Sequence, residues 1–163
     1  MRAYLVAVPV LLTVHNLEEV LGGMGAAREA LRGRLPASLG SLAGSPAAWL
    51  FAVVVLTVMA WLLILLGGLD RRDSLLARSL VVLQAGMALN VASHVGGSLL
   101  VGGYTGGLLS SVLLYIPFSW RFFTLAHRDA WVSPRFLRWS PVLALLLVPL
   151  LALLLALGAA VTS

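Results

Sequence analysis

Five apolar stretches, each long enough to cross a bilayer, divide this 163-residue chain and constrain its fold more than any other feature. A transmembrane helix needs roughly 20 consecutive, mostly apolar residues. The pattern predicts five such helices, at about residues 3–24, 47–69, 75–101, 104–125 and 140–161. We therefore expect an all-α, polytopic membrane helix bundle in which residues 1–163 form a single transmembrane helical domain.

The composition agrees with a membrane protein. Hydrophobic residues make up 61% of the chain and charged residues only 10%, whereas soluble domains carry about 25% charged residues. The net charge is +5, and all the basic residues are arginines lying between apolar stretches rather than in an aromatic-rich patch. We therefore expect membrane lipid as a partner and no nucleic acid. The chain has no cysteine, which excludes disulfides and thiolate ligands.

The arginines also predict an orientation. With five spans, the N-terminus and the loops at 70–74 and 126–139 lie on one side, together with seven arginines. The loop at 25–46, expected to begin as a short amphipathic helix, carries three arginines on the other side. Because cytoplasmic loops collect basic residues, we expect an integral membrane protein with a cytoplasmic N-terminus.

The sequence "HNLEEV", residues 15–20, places three ionisable side chains inside the first span. Glu18 and Glu19 follow His15 at i+3 and i+4, so all three share a helix face. Asn90 and His94 share a face of the third span in the same way. Charged groups inside a membrane are costly and usually face the bundle interior with a partner. The spacing therefore predicts that these two faces meet.

The expected depths of the polar residues match. At a rise of 1.5 Å per residue, residues 15–19 lie roughly 18–24 Å from the cytoplasmic end of the first span, and residues 90–94 lie roughly 22–28 Å along the third. The fourth span starts on the far side, so Tyr104 enters at the same level. The turn "GGYTGG", residues 102–107, contains glycines that permit positive φ and close helix approach. We expect one polar cluster in the outer half of the bilayer.

Histidine and carboxylate ligands suit a divalent metal ion such as zinc, iron or manganese. We predict that the metal ligands come from His15, Glu18, Glu19, His94 and Asn90, and that the catalytic residues are Glu18, Glu19, His15 and Tyr104. The favoured function is a metal-dependent membrane enzyme acting on a lipidic substrate, such as an isoprenoid or acyl chain. Without metal, a protonated glutamate would act as general acid and a histidine as base.

Three alternatives stay open at this point. The carboxylates could bind a proton or cation in a carrier or transporter component, which would need a homo-oligomer because five spans make a small, asymmetric unit. Haem b could lie between His15 and His94. A non-catalytic structural subunit could use the same groups as hydrogen-bonding clamps, and Asn90 and Gln84 suit such helix–helix bonding.

"HNLEE" is similar to the motif that names the HXXEE family of small bacterial membrane proteins. The later segments "NVASH" and "GGYTGG" resemble that family's second histidine block and its Tyr-x-Pro-Gly turn, with Gly106 at the proline position. The resemblance covers about residues 10–120. It implies a shared site on His15, Glu18, Glu19 and His94 and a location in the bacterial inner membrane, and it implies no particular reaction.

Overall fold

A computed structural model describes residues 1–22, 45–66 and 71–162. The amphipathic helix predicted at the start of the loop at 25–46 lies outside these ranges. Within them the chain is helical and contains no strand. The helices are α1 (Arg2–Leu21), α2 (Pro46–Leu65), α3 (Leu75–Val101), α4 (Leu108–Arg128), α5 (Pro134–Ala144) and α6 (Leu147–Thr162).

The predicted all-α bundle is confirmed. Five helical stretches are long and apolar enough to span a membrane: α1, α2, α3, α4 and the combined stretch Pro134–Thr162. The observed helix limits differ from the approximate predicted ones at several ends. Helix α1 ends at Leu21 rather than 24, and α2 ends at Leu65 rather than 69. Helix α4 starts at Leu108 rather than 104 because Gly107 adopts φ +88°, a conformation that a helix cannot continue through.

The last span starts earlier than predicted, at Pro134 instead of 140. The Ser133 side chain accepts a hydrogen bond from the Phe136 N–H at 3.3 Å, and proline occupies the first helical position. Both features favour helix initiation. The last apolar stretch is interrupted: α5 ends at Ala144, and two leucines form a turn before α6.

Polar contacts show how α1 is packed. Asn16 donates a hydrogen bond to Thr57 at 2.6 Å, and Trp61 donates one to Thr13 at 3.0 Å. As residue numbers rise along α1, their partners fall along α2, so these two helices are antiparallel. Helix α4 is also antiparallel to α1, because its first turn contacts the end of α1 while Phe118 stacks on Tyr4 near the start.

A five-residue π turn, Ser111–Tyr115, interrupts α4 and ends two residues before Pro117. Proline lacks an N–H and disfavours a regular helix in the residues before it, and π turns widen the helix locally. The turn buries Tyr115 completely against α1, where its hydroxyl donates to the Leu11 carbonyl at 3.3 Å. This irregular turn therefore brings α4 close to the polar turn of α1.

Candidate metal centre

The structure brings three of the predicted ligands together. His15 and Glu19 from α1 and His94 from α3 offer ligand atoms that all lie within 4.8 Å of one another. Glu19 Oε1 lies 3.6 Å from His15 Nε2 and 3.2 Å from His94 Nε2. Ligands of a tetrahedral zinc ion, bound at about 2.0–2.1 Å, are about 3.3 Å apart. The two distances therefore suit a shared metal ion without rearrangement of the helices.

His15 is the most buried of the three, with 2% of its surface exposed. Its Nδ1 lies 2.8 Å from the Ser110 hydroxyl. Its Nε2 is buried and has no hydrogen-bond partner among the described residues. Buried polar atoms are nearly always satisfied, so a nitrogen without a partner that faces a carboxylate and a second imidazole fits a metal ligand.

His94 lies edge-on to His15, with ring centroids 4.7 Å apart. Its Nε2 faces Glu19 and also lies 3.0 Å from the side-chain nitrogen of Asn90. Asn90 thus presents a donor rather than a ligand oxygen to His94, while its own oxygen accepts from Ser93. In this arrangement Asn90 is a hydrogen-bonding neighbour of the cluster.

Glu18 does not face the cluster. Its Oε1 accepts hydrogen bonds from the Tyr104 hydroxyl at 2.8 Å and the Leu109 N–H at 2.9 Å, and its Oε2 accepts from the Ser110 N–H at 2.7 Å. The first N–H groups of a helix have no partner within the helix and attract negative charge. Glu18 therefore caps α4 from a different helix, and the structure does not bring it to the three ligand atoms.

Tyr104 lies in the turn before α4 and is 47% exposed. Desolvation and the hydrogen bond to Glu18 raise the pKa of its hydroxyl, which favours the protonated donor form. Its hydroxyl contacts Glu18 rather than the cluster, so the structure places this predicted catalytic residue with the cap of α4.

Gly107 and Ser110 belong to the site but were not predicted as site residues. A side-chain carbon added at Gly107 would lie 2.6 Å from His94 Cε1, 2.8 Å from His15 Cε1 and 2.9 Å from Glu19 Cγ. The backbone of the turn therefore covers the cluster directly. Both residues can be read from the sequence, Gly107 in a turn and Ser110 at the same depth as His15. Neither a glycine nor a serine by itself indicates a metal site.

The haem alternative does not fit this geometry. The imidazoles of His15 and His94 are in edge contact, and Glu19 lies beside both rings. A bis-histidine haem would have to occupy the space between the rings. Among the described residues, that space has no room for a porphyrin.

The fold and this cluster suggest a membrane protein of five spans with a His/Glu site between its helices. The chain belongs to the family described as "protein of unknown function with HXXEE motif", whose model matches residues 6–122. The match confirms the resemblance noted in the sequence. No curated protein and no solved structure matches this chain.

Proposed function

We propose that this protein is a membrane-embedded, metal-dependent enzyme that acts on a lipidic substrate. One observation carries the proposal: two imidazole nitrogens and one carboxylate oxygen from two helices converge within 4.8 Å. Structural zinc sites are usually closed by four protein ligands, whereas catalytic sites use three and leave a position for water or substrate. Two histidines and one carboxylate also suit a non-haem iron site.

The residues present support defined roles. His15, Glu19 and His94 would hold the ion, which could be zinc, iron or manganese. When bound, such an ion polarises an oxygen of the substrate or activates a water molecule. The Gly107 backbone and the buried Tyr115 ring, whose centroid lies 4.8 Å from that of His15, exclude bulk water from this side of the cluster.

A groove between α3 and α4 supports a lipidic substrate. It encloses about 560 Å³, and Tyr115 and Ser119 line it together with apolar and aromatic side chains such as Val91 and Phe123. Both walls belong to candidate membrane spans. Tyr115 lines the groove and packs on His15, so an acyl or isoprenoid chain in the groove would lie beside a side chain that contacts a metal ligand.

Metal analysis tests the proposal. The protein would be purified in detergent, stripped with a chelator, reloaded with Zn²⁺, Fe²⁺ or Mn²⁺ and dialysed. We expect about one ion per chain for the wild type and for His127→Gln, whose histidine is exposed at the end of α4. Glu19→Gln should retain less than a tenth as much. Equal loading of folded wild type and Glu19→Gln, or no loading of either, would overturn the metal site.

Activity is tested separately. Extracted bacterial lipids would be incubated with the loaded protein and with Glu19→Gln, and analysed by mass spectrometry. A change in a lipid class that needs the metal supports the enzyme. Gradient-driven cation uptake into proteoliposomes, without any change in lipid, would show that the protein is a carrier and not an enzyme.

A further inference from the structure

Ser110 joins the two halves of the HXXEE motif. Its backbone N–H donates to Glu18 Oε2 at 2.7 Å, and its hydroxyl lies 2.8 Å from His15 Nδ1. It is 4% exposed, so bulk water does not compete for these contacts. Glu18 and His15 are three residues apart on α1, and a single residue of α4 binds both.

The hydrogen bonds assign the proton on His15. A neutral imidazole carries one proton, on either Nδ1 or Nε2. His15 Nε2 lies 3.6 Å from Glu19 Oε1, which is too long for a hydrogen bond, and it has no other partner among the described residues. A buried N–H without an acceptor is costly, so Nε2 is the nitrogen without the proton.

The Ser110 hydroxyl agrees with this assignment. It can donate one hydrogen bond, and the Gly107 carbonyl, which can only accept, lies 3.3 Å away. Ser110 then accepts from His15 Nδ1–H. The Nε2 lone pair is left pointing toward Glu19 and His94, as a metal requires. Histidine ligands commonly have their other ring nitrogen fixed by such a hydrogen bond.

We propose that Ser110 is a positioning residue that holds the proton of His15 on Nδ1 and presents Nε2 to the metal, and that Glu18 holds Ser110 in place. The metal role rests on the proposed function, whereas the assignment of the proton does not. The motif thus contains two ligands, His15 and Glu19, and one anchor, Glu18.

The neighbouring serine provides a matched control. Ser111 is fully buried in the same turn, and its hydroxyl has no hydrogen-bond partner among the residues that the structure describes. Ser111→Ala and Ser110→Ala therefore delete the same atom from adjacent buried positions, and only the second deletion removes a partner of His15. Ser110→Thr keeps the hydroxyl and serves as the rescue.

The test is ¹⁵N NMR of the metal-free protein in detergent with ¹⁵N-labelled histidine, because the chain has only three histidines. We expect His15, assigned by its loss in His15→Gln, to carry its proton on Nδ1 in the wild type and in Ser111→Ala. Ser110→Ala should change the His15 signals and leave those of His127 unchanged, and Ser110→Thr should restore them.

Metal affinity is the second readout. Loss of such a supporting hydrogen bond typically lowers metal affinity 10–100-fold, so Ser110→Ala should bind Zn²⁺ at least about tenfold more weakly than Ser111→Ala. A wild-type His15 protonated on Nε2, or equal signals and affinities in the two alanine variants, would overturn the role of Ser110. If Ser110→Ala does not fold, the role of Ser110 is tested by the tautomer of His15 in the wild type and by the Zn²⁺ affinity of Ser110→Thr. If the wild type binds no metal, the proposed function fails while the NMR result still tests the tautomer.

Discussion

The carboxylate of Glu18 accepts the backbone N–H of Ser110 at 2.7 Å, so the end of α1 is fastened to the first turn of α4. The adjacent carboxylate of Glu19 faces the two histidines instead. Two neighbouring acidic residues thus serve different purposes, one holding helices together and one completing a ligand set. Their separation also avoids placing two like charges in the same pocket.

Replacing each glutamate by glutamine should separate these purposes. In Glu18→Gln the amide oxygen can accept only some of the hydrogen bonds that the carboxylate accepts. The amide NH₂ group would face backbone N–H donors, with which it cannot form a hydrogen bond. Hydrogen bonds to charged groups contribute about 1.5–3 kcal/mol, so we expect a clear fall in apparent melting temperature in detergent. Metal binding should persist and be weakened no more than in Ser110→Ala, because Glu18 acts on His15 only through Ser110. Glu18→Gln that folds normally but loses all metal would place Glu18 among the ligands.

Glu19→Gln should give the converse result. A ligand that binds only the folded protein stabilises it by about 2.7 kcal/mol at 100 times its Kd. We expect Zn²⁺ to raise the apparent melting temperature of the wild type and to leave that of Glu19→Gln unchanged. A chelator should reverse the wild-type shift. The same zinc-induced shift in both proteins would mean that the ion binds elsewhere.

The sequence predicted the five helices and the polar cluster between them, but it did not predict that Glu18 and Glu19 would face different partners. Long apolar stretches determine the number of spans, and i,i+4 spacing brings His15 and Glu19 to one face. The rotation of α1 against α4 decides which carboxylate points toward the histidines, and that rotation depends on packing at residues such as Tyr115 and Gly107. The role of Ser110 could not be predicted from its neighbours in the sequence, because a serine in an apolar helix usually only packs against other helices.

The role of Asn90 distinguishes a ligand from a neighbour. Its amide nitrogen lies 3.0 Å from His94 Nε2, the atom that a metal would bind. The hydrogen bond and the metal would then compete for one lone pair. We expect Asn90→Ala to bind Zn²⁺ with an affinity equal to that of the wild type or higher, measured by competition with a chelating dye. A loss of tenfold or more would make Asn90 a ligand.

Gly107 should tolerate no side chain. It has φ +88°, and an added carbon would lie within 3 Å of His15, Glu19 and His94. We expect Gly107→Ala to lose metal binding even where it still folds, because the three side chains must move apart. Gly103→Ala is the control, since its added carbon meets nothing within 4 Å in the same turn. Equal metal loading of the two variants would show that the turn does not cover the ligands closely.

At the opposite end of α3, Asp73 gives a prediction about pH. The Arg78 guanidinium hydrogen-bonds its carboxylate at 2.7 and 3.0 Å, the Ser133 N–H adds a bond at 3.1 Å, and these contacts lower the pKa of Asp73. A carboxyl group with a lowered pKa in the folded state adds stability above its unfolded pKa and loses it as the pH falls through the folded value.

Asp73→Asn tests this effect without disturbing the backbone. Asp73 has φ +54°, a left-handed conformation that asparagine also tolerates. We expect the variant to melt slightly below the wild type at neutral pH, because the pair is exposed and exposed ion pairs contribute little. The two melting curves should converge as the pH falls below the ordinary range for an aspartate, where the wild-type carboxylate becomes protonated. A difference that stays constant down to the acid limit would assign the effect to the hydrogen-bonding shape of the side chain rather than to its charge.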